Sequence, residues 1–361
     1  MRLIRPMKLV RACAAGALAM GLAVSLAAPA EGATQAKKST PTTKKATSAR
    51  KTTYSAAASN ARKTRLARAR AAARAREHAR LRAVRLVREA MTPRFKTDAT
   101  GALVPDIRAA AAVIFDPQSG QVLWGENAQD RRSIASITKV MTAVVFLEDQ
   151  PDLSQVVTVE RVDTYAASTT YLRANERLTL DGLLHLTLIA SDNAAARALA
   201  RLSHGGTASF IERMNTKAAE LGLTSMSFAD PSGLNPENVS SAYDLSRLIT
   251  YAATDERTGP IVAPIMRTAE YKVTTNRRTI GIHNTNRLVM DGDVDVLGGK
   301  TGFISKAGHC LATLLRLPQT NQQVAVVVLG ANSNPGRFWE TRHLFKWLSD
   351  KTGEIFAKDQ E

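Results

Sequence analysis

The hydrophobic and polar positions of the chain follow two different periods, and the change between them predicts where strands and helices lie. The segment AAAVIFD at 110–116, the turn PQSG and the segment QVLW predict a β-hairpin, because β-branched and aromatic residues flank a turn that contains Pro and Gly. Further along, the turn PQTNQ separates the apolar runs CLATLLRL and VAVVVLGA, which predict two more strands. Strands are thus predicted at both ends of the region that has regular periodicity.

Helical spacing dominates the region between these strands. Apolar residues recur three and four positions apart at 134–147, and again after Thr179, a residue suited to cap a helix N-terminus. A further helix is predicted behind Asp192 and ends at HGG, 204–206, and a last one covers 337–350. Strands that enclose a helical middle predict one α+β domain whose sheet joins the first and last segments.

Residues 1–30 have the pattern of a secretory signal peptide. Four basic residues precede an apolar run over 12–28, and the small residues of APA at 28–30 suit cleavage. We therefore expect removal of this segment and export to the periplasm. Retention as an uncleaved membrane anchor stays open, although the run is short for a membrane-spanning helix.

Residues 31–100 form a basic arm that accounts for the charge of the chain. The formal net charge is +17, and residues 34–96 carry 19 Lys and Arg against 2 Glu, whereas 97–361 carries 26 basic and 29 acidic residues. Residues 34–60 have few bulky apolar side chains, so a disordered linker is expected there. Residues 63–91 are rich in Ala and Arg and predict a basic helix.

This distribution of charge bears on the partners of the protein. A nucleic-acid-binding protein is disfavoured, because the charge is confined to the arm and neither C-x-x-C nor interleaved aromatic and basic residues occur. The arm is expected to contact an anionic surface, either a wall polymer or lipid headgroups, and a solvated spacer is the alternative. The globular domain at 101–361 is close to neutral.

Cysteines and histidines give no sign of a metal or cofactor. Cys13 lies in the signal, so the mature chain retains only Cys310, which we expect to be a buried strand residue without a disulfide. The 6 histidines are scattered without metal-ligand spacing. His283 and His309 lie near the segments that carry chemistry, and a packing or supporting role is expected for each. No metal and no cofactor are therefore expected.

Three short segments carry candidate chemistry, and the first is SITK at 136–139. Its spacing places the side chains of Ser136 and Lys139 one helical turn apart on one face. A lysine partly desolvated by an apolar helix face loses proton affinity, and its neutral amine can take the serine proton. Alone this motif is common by chance, and SARK at 48–51, in the predicted linker, is another match.

The second segment, SDN at 191–193, lies at the break between two helices, where a loop can direct polar side chains into a cleft. The alternative is that Ser191 and Asp192 are only helix caps. The third segment, KTG at 300–302, follows two glycines that allow close backbone approach, and a Lys-Thr pair beside a strand suits a carboxylate. A second KTG, at 351–353, follows the last helix and is interpreted as a helix terminus with Gly at the cap.

In this order the three segments resemble those of penicillin-binding proteins and serine β-lactamases. The resemblance includes FADPSGLNPENVSSAYDL at 228–245, HNTNRL at 283–288 and AGHCL at 307–311. These stretches resemble the low-molecular-mass D-alanyl-D-alanine carboxypeptidase and endopeptidase family, and AGHCL resembles its endopeptidase branch. The resemblance implies a penicillin-binding or serine β-lactamase-like α+β fold, with an antiparallel sheet flanked by helices and a helical subdomain.

The resemblance also implies catalytic roles. Ser136 would be the nucleophile and Lys139 its general base, while Ser191 would relay a proton to the leaving amine. The implied enzyme is a serine peptidase that acts on peptidoglycan peptide stems through an acyl-enzyme. β-Lactams would be its covalent inhibitors.

Five residues are implied in substrate binding. Asn193 would hold a substrate amide, and Lys300 and Thr301 would bind a terminal carboxylate. Gly302 would let the strand approach closely, and the backbone N–H of Phe303 would form an oxyanion hole together with that of the nucleophile.

Two other activities are compatible with this resemblance. A class A β-lactamase is disfavoured, because the region that would hold its deacylating glutamate reads TSMSFADPSGLN and has no glutamate. Carboxypeptidases of the family typically carry a further β-rich domain and a membrane-binding helix, whereas this sequence ends at Glu361, soon after the last predicted helix. We therefore expect hydrolysis of D-alanyl-diaminopimelate cross-links, with a D-alanyl-D-alanine carboxypeptidase as the alternative.

Overall fold

The computed structural model describes residues 50–358. Its helices are α1 (Arg50–Met91), α2 (Thr138–Glu148), α3 (Arg161–Thr164), α4 (Leu180–Leu188), α5 (Asn193–Leu202), α6 (Gly206–Glu220), α7 (Ala242–Thr254), α8 (Gly259–Arg267), α9 (Arg287–Asp291) and α10 (Asn334–Lys358). Its strands are β1 (Phe95–Thr97), β2 (Leu103–Pro105), β3 (Ala111–Asp116), β4 (Gln121–Glu126), β5 (Arg132–Ser133), β6 (Val156–Thr158), β7 (Arg177–Thr179), β8 (Val239–Ser240), β9 (Glu270–Thr274), β10 (Thr279–His283), β11 (Asp295–Ile304), β12 (Gly308–Arg316) and β13 (Gln323–Ala331). A 3-10 turn, Ala135–Ile137, directly precedes α2.

Five strands form the main antiparallel sheet, in the order β11-β12-β13-β3-β4. The pairing of β13 with β3 sets Val327 opposite Val113 and joins the late strands of the chain to the early ones. This arrangement confirms the predicted α+β domain. The edge strand β11 pairs only with β12 in this sheet, and Lys300 lies opposite Ala312.

The sheet is covered on both faces. Helices α7 and α8 pack against one face and α10 against the other. All residues of β3 are buried, as are those of β13 from Val324 to Leu329. A strand buried on both faces is a continuous apolar run rather than an alternating one, which explains the composition of VAVVVLGA.

A helical subdomain consists of α2, α4, α5 and α6, which pack against one another. Thr179 caps α4 by accepting the N–H of Gly182 at 3.1 Å. Asp192 caps α5 by accepting the N–H of Ala195 at 2.9 Å. The two caps determine where each helix begins, and the break between α4 and α5 presents the SDN segment as a loop.

The structure confirms the predicted hairpin, the helices behind Thr179 and Asp192, and the C-terminal strands. Some boundaries were predicted wrongly. Residues 50–60 belong to α1 instead of a disordered linker, because this stretch is rich in Ala, the strongest helix former. Helix α10 continues to Lys358, and the second KTG lies inside it, since one glycine costs a helix only about 1 kcal/mol.

The predicted signal peptide and the linker before residue 50 lie outside the described residues. Within 50–358, no helix is both long and apolar enough to cross a bilayer. The cleft that contains the three motifs lies in the compact unit that begins at Ala71.

Candidate active site

A cleft of about 420 Å³ lies between the edge of β11, the start of α2 and the connection from α4 to α5. Residues from all three predicted motifs line it, namely Ser136, Ser191, Asn193, Thr301 and Gly302, together with Phe303, which follows the third motif. The two motif lysines, Lys139 and Lys300, are buried and are not part of the lining. Segments far apart in the chain are therefore brought to one site.

Ser136 lies in the 3-10 turn at the start of α2, in a backbone with little freedom. The preceding Ala135 has a φ of 49°, a strained left-handed value that is frequent at functional sites. A Cβ at Gly233 would lie 2.1 Å from the carbonyl oxygen of Ala135, and one at Gly302 would lie 2.6 Å from that of Ile134. Only glycine permits these two close approaches. Gly302 allows β11, and Gly233 allows the loop at 230–235, to lie against the backbone that precedes the serine.

Lys139 follows one turn after Ser136 and has no exposed surface. Its Nζ is 3.0 Å from Oγ of Ser136 and 2.6 Å from Oδ1 of Asn193. It also donates a hydrogen bond to the backbone carbonyl of Ser232. Three oxygen atoms thus fix the amine beside the serine hydroxyl.

The environment of Lys139 makes this amine unusually easy to deprotonate. Burial lowers its pKa from 10.5 to about 7, although the charges of Asp230 and Asp192 oppose the change. Near neutral pH a large fraction of the amine is therefore uncharged. A neutral amine at hydrogen-bond distance can accept the proton of the serine hydroxyl.

The SDN segment divides its side chains between the cleft and the interior. Ser191 lines the cleft and has a φ of 59°. Asp192 is buried and, besides capping α5, accepts the N–H of Tyr171 at 2.6 Å. Burial raises the pKa of the Asp192 carboxyl. The cap interpretation therefore holds for Asp192, whereas Ser191 is available to a bound molecule.

Asn193 links Lys139 to the backbone of Ala167. Its Oδ1 accepts from Lys139, and its Nδ2 donates to the carbonyl of Ala167 at 2.7 Å. A side-chain amide has two N–H groups, so one of them is left for another acceptor. These two hydrogen bonds orient the side-chain amide of Asn193, which lines the cleft.

In the KTG segment, Lys300 is not placed where a residue that binds a substrate carboxylate was expected. Lys300 does not line the cleft in the described structure, because its Nζ turns back to the carbonyl of Thr301 at 3.1 Å. Burial and the neighbouring charges of Lys139 and Arg337 lower its pKa well below 10.5. Thr301 does face the cleft, where its Oγ1 donates to Oγ1 of Thr285 at 2.7 Å.

Arg337 is a cleft residue that no sequence motif marks. It enters from the first turn of α10 and donates to the carbonyls of Gly302 at 3.0 Å and Cys310 at 3.2 Å. Burial lowers the pKa of its guanidinium only to about 10, so it stays charged at neutral pH. Thr285, which also lines the cleft, lies in the HNTNRL segment that carried part of the resemblance.

The remaining candidates have supporting or peripheral positions. His309 stacks on Phe303 with ring centroids 4.3 Å apart, which agrees with a supporting role. Cys310 is buried as predicted, and burial raises the pKa of its thiol to about 11. The packing role expected for His283 is wrong, because the alternation of β10 turns this side chain outward, where it pairs with Glu270 at 3.1 Å.

The geometry suits acyl transfer. A serine hydroxyl beside a buried amine, next to a strand edge with backbone donors, is the arrangement of an activated nucleophile. Among residues 50–358, no three His, Cys, Asp or Glu side chains are grouped as metal ligands.

Comparisons with known proteins agree with this chemistry. A family model described as D-alanyl-D-alanine carboxypeptidase matches residues 98–333. The D-alanyl-D-alanine endopeptidase of Escherichia coli is 33% identical over 261 residues, which cover 71% of this chain and 82% of that protein. A D-alanyl-D-alanine carboxypeptidase of Bacillus subtilis is 32% identical over 265 residues, or 70% and 65% of the two chains. The crystal structure of the Streptomyces K15 DD-transpeptidase is similar, with 27% identity, a TM-score of 0.62, and 67% and 97% of the chains covered.

Proposed function

Because the chain belongs to the D-alanyl-D-alanine carboxypeptidase family of serine peptidases, we propose that it is a D,D-endopeptidase that hydrolyses D-alanyl-diaminopimelate cross-links of peptidoglycan. One observation carries the proposal. The buried amine of Lys139, with a pKa of about 7, lies 3.0 Å from Oγ of Ser136. This pair has the distance and the proton affinity that general-base activation of a serine requires.

The first half of the reaction forms an ester. Oγ of Ser136 attacks the D-alanyl carbonyl carbon while its proton passes to Nζ of Lys139. The developing oxyanion accepts hydrogen bonds from the backbone N–H groups of Ser136 and Phe303. The C–N bond then breaks, and the leaving amine takes the proton from Lys139, with Ser191 as the relay.

The second half is hydrolysis of that ester. A water molecule adds to the ester carbonyl while the neutral Lys139 takes one of its protons. When the C–O bond to Ser136 breaks, this proton passes to Oγ, and the D-alanyl carboxylic acid is released and loses the second proton of the water to solvent. The enzyme thus regains its starting state without a cofactor.

The leaving-group side of the cleft suits a carboxylate. It combines the hydroxyls of Thr285 and Thr301 with the charged guanidinium of Arg337. In the cross-link, the carbon that bears the leaving amine also bears a carboxylate, as it does in a terminal D-alanine. Both substrates therefore fit, and the preference for the cross-link rests on the endopeptidase name of the E. coli relative and on AGHCL at 307–311.

β-Lactams are expected to acylate Ser136 and to remain attached. Asp230 and Asp192 are the carboxylates whose charges act on Lys139, but the oxygens of both already accept hydrogen bonds. Those of Asp230 accept from the N–H groups of Ser232, Gly233 and Asn235 and from the side chains of Ser232 and Asn238. Those of Asp192 accept from the hydroxyl of Thr170 and the N–H groups of Tyr171 and Ala195. A carboxylate occupied in this way cannot also activate water. This argues against rapid deacylation of the kind that a β-lactamase needs.

The deciding experiment offers purified protein two peptidoglycan fragments side by side: cross-linked dimers and monomeric pentapeptides. Mass spectrometry should show dimers converted to monomers. Loss of terminal D-alanine from the pentapeptides, with dimers intact, would instead identify a carboxypeptidase. The Ser136→Ala variant should do neither, which excludes a contaminating hydrolase.

Export and the basic arm complete the proposal. The pattern of residues 1–30 supports export to the periplasm, where the substrate is found. The described side chains of α1 at 60–89 are exposed, and most of the charged ones are arginines. An exposed basic array attracts anionic wall polymers or membrane surfaces, and salt weakens such attraction.

A further inference from the structure

We propose that Phe303, supported by His309, is a specificity-determining residue that contacts the acyl side of the substrate. The inference rests on the proposed function, because it assigns a role within the same cleft. It concerns the apolar part of the bound peptide, whereas the motif residues act on the scissile bond and the carboxylate.

The position of Phe303 in β11 is the first support. Thr301 and Phe303 are two residues apart, so their side chains lie on the same face of the strand, separated by about 7 Å. Thr301 is 4% exposed, whereas Phe303 is 53% exposed. An aromatic ring left this exposed at the rim of a cleft offers apolar area to a bound molecule.

The lining of the cleft combines polar and apolar side chains. The hydroxyls of Thr285 and Thr301 are hydrogen-bonded to each other, and Leu234, Phe303 and Ile304 contribute apolar surface.

The order of Thr301, Phe303 and Ile304 along β11 sets the direction of the bound peptide. When a carboxylate is bound at Thr301 and the scissile carbonyl lies at the N–H of Phe303, the acyl portion extends toward Ile304. There the D-alanyl methyl group and the alkyl chain of the preceding diamino acid meet the aromatic ring. Burial of this apolar surface would favour stems with such a chain.

His309 holds the ring in place. It is directly opposite Phe303 in the register of β11 and β12, and the two rings stack with an angle of 21° between their planes. Burial and the charge of Arg337 lower the pKa of His309, so its ring is neutral at neutral pH. His309 is therefore a positioning residue that acts through Phe303.

The test compares two β-lactams with the purified full-length protein. Benzylpenicillin carries a phenylacetyl group on its acyl side, whereas 6-aminopenicillanic acid carries only an amino group there. The ratio of their acylation rates measures how much the acyl side contributes. Phe303→Ser should lower this ratio roughly tenfold, and Phe303→Leu should lower it less than threefold.

Matched variants separate recognition from damage to the fold. Phe95→Ser replaces a phenylalanine of similar exposure, 48%, on β1, and should leave the ratio unchanged. His309→Ala should lower the ratio, and His309→Phe, which keeps a stacked ring, should restore it. The wild-type ratio should not vary between about pH 7 and 8.5, because His309 stays neutral there.

An unchanged ratio in Phe303→Ser, or an equal fall in both rates, would overturn the inference and leave the proposed function intact. Absence of any penicillin adduct on the wild-type protein would refute the proposed function, and the inference with it. A fall in the ratio that His309→Phe does not restore would remove His309 from the proposal.

Discussion

Nζ of Lys139 lies 3.0 Å from Oγ of Ser136, and the lysine is completely buried while the serine lines an open cleft. The helical spacing brings the two side chains together, and the surrounding core lowers the pKa of the amine to about 7. A surface lysine at the same spacing would stay protonated at neutral pH. The reactivity that we propose for the serine therefore depends on the packing around its neighbour.

Labelled penicillin should form a covalent adduct on Ser136, because a β-lactam places a strained amide where the D-alanyl peptide bond binds. Ser136→Ala should lose all labelling with an unchanged circular dichroism spectrum. Ser48→Ala, in the other S-x-x-K match, should be labelled like the wild type. Persistent labelling of Ser136→Ala would move the nucleophile to another residue.

The rate of acylation should rise with pH through about 7, because the neutral fraction of Lys139 grows as the pH passes its pKa. For a single group with this pKa, the rate at pH 8 is about ten times the rate at pH 6. Stopped-flow measurements with a fluorescent penicillin provide the profile. Lys139→Arg, which cannot lose its proton, should reduce the rate about 100-fold or more. A flat profile between pH 6 and 8 would argue against a lysine base.

Gly233→Ala should destabilise the domain by roughly 2–4 kcal/mol, because a Cβ there meets the backbone of Ala135 and the residue has a φ of +83°. Gly281→Ala is the matched control, since a Cβ at that position of β10 meets nothing within 4 Å. Urea unfolding of both variants measures the difference. Equal midpoints would show that the loop at 230–235 can relax away from the serine.

Deletion of residues 34–88 should leave penicillin labelling intact and weaken sedimentation of the protein with cell envelopes at low salt. The physical reason is the loss of the basic array, whose attraction for polyanions is screened at high ionic strength. A full-length variant with Gln in place of the arginines of this segment should behave like the deletion. If the Gln variant still sediments at low salt, the length of the arm matters and its charge does not.

Local patterns in the sequence were sufficient to predict β3, β4, β12 and β13 of the sheet, the helices behind Thr179 and Asp192, and the serine and lysine of the first motif, but they did not predict β11. Periodicity, caps and motif spacing are properties of residues that are close in sequence, so they can be recognised without knowledge of long-range contacts. The order of the three motifs added the family resemblance. Helices α6 to α8 were not predicted individually, because which of their apolar residues are buried depends on the sheet and the helices that they pack against.

Only the tertiary structure decided how the site works. It buried Lys139 deeply enough to lower its pKa, turned Lys300 back toward the carbonyl of Thr301, and brought Arg337 from the last helix into the cleft. It also stacked His309 beneath Phe303. Each of these features depends on residues remote in sequence, because desolvation and side-chain direction are set by the neighbours that folding brings together.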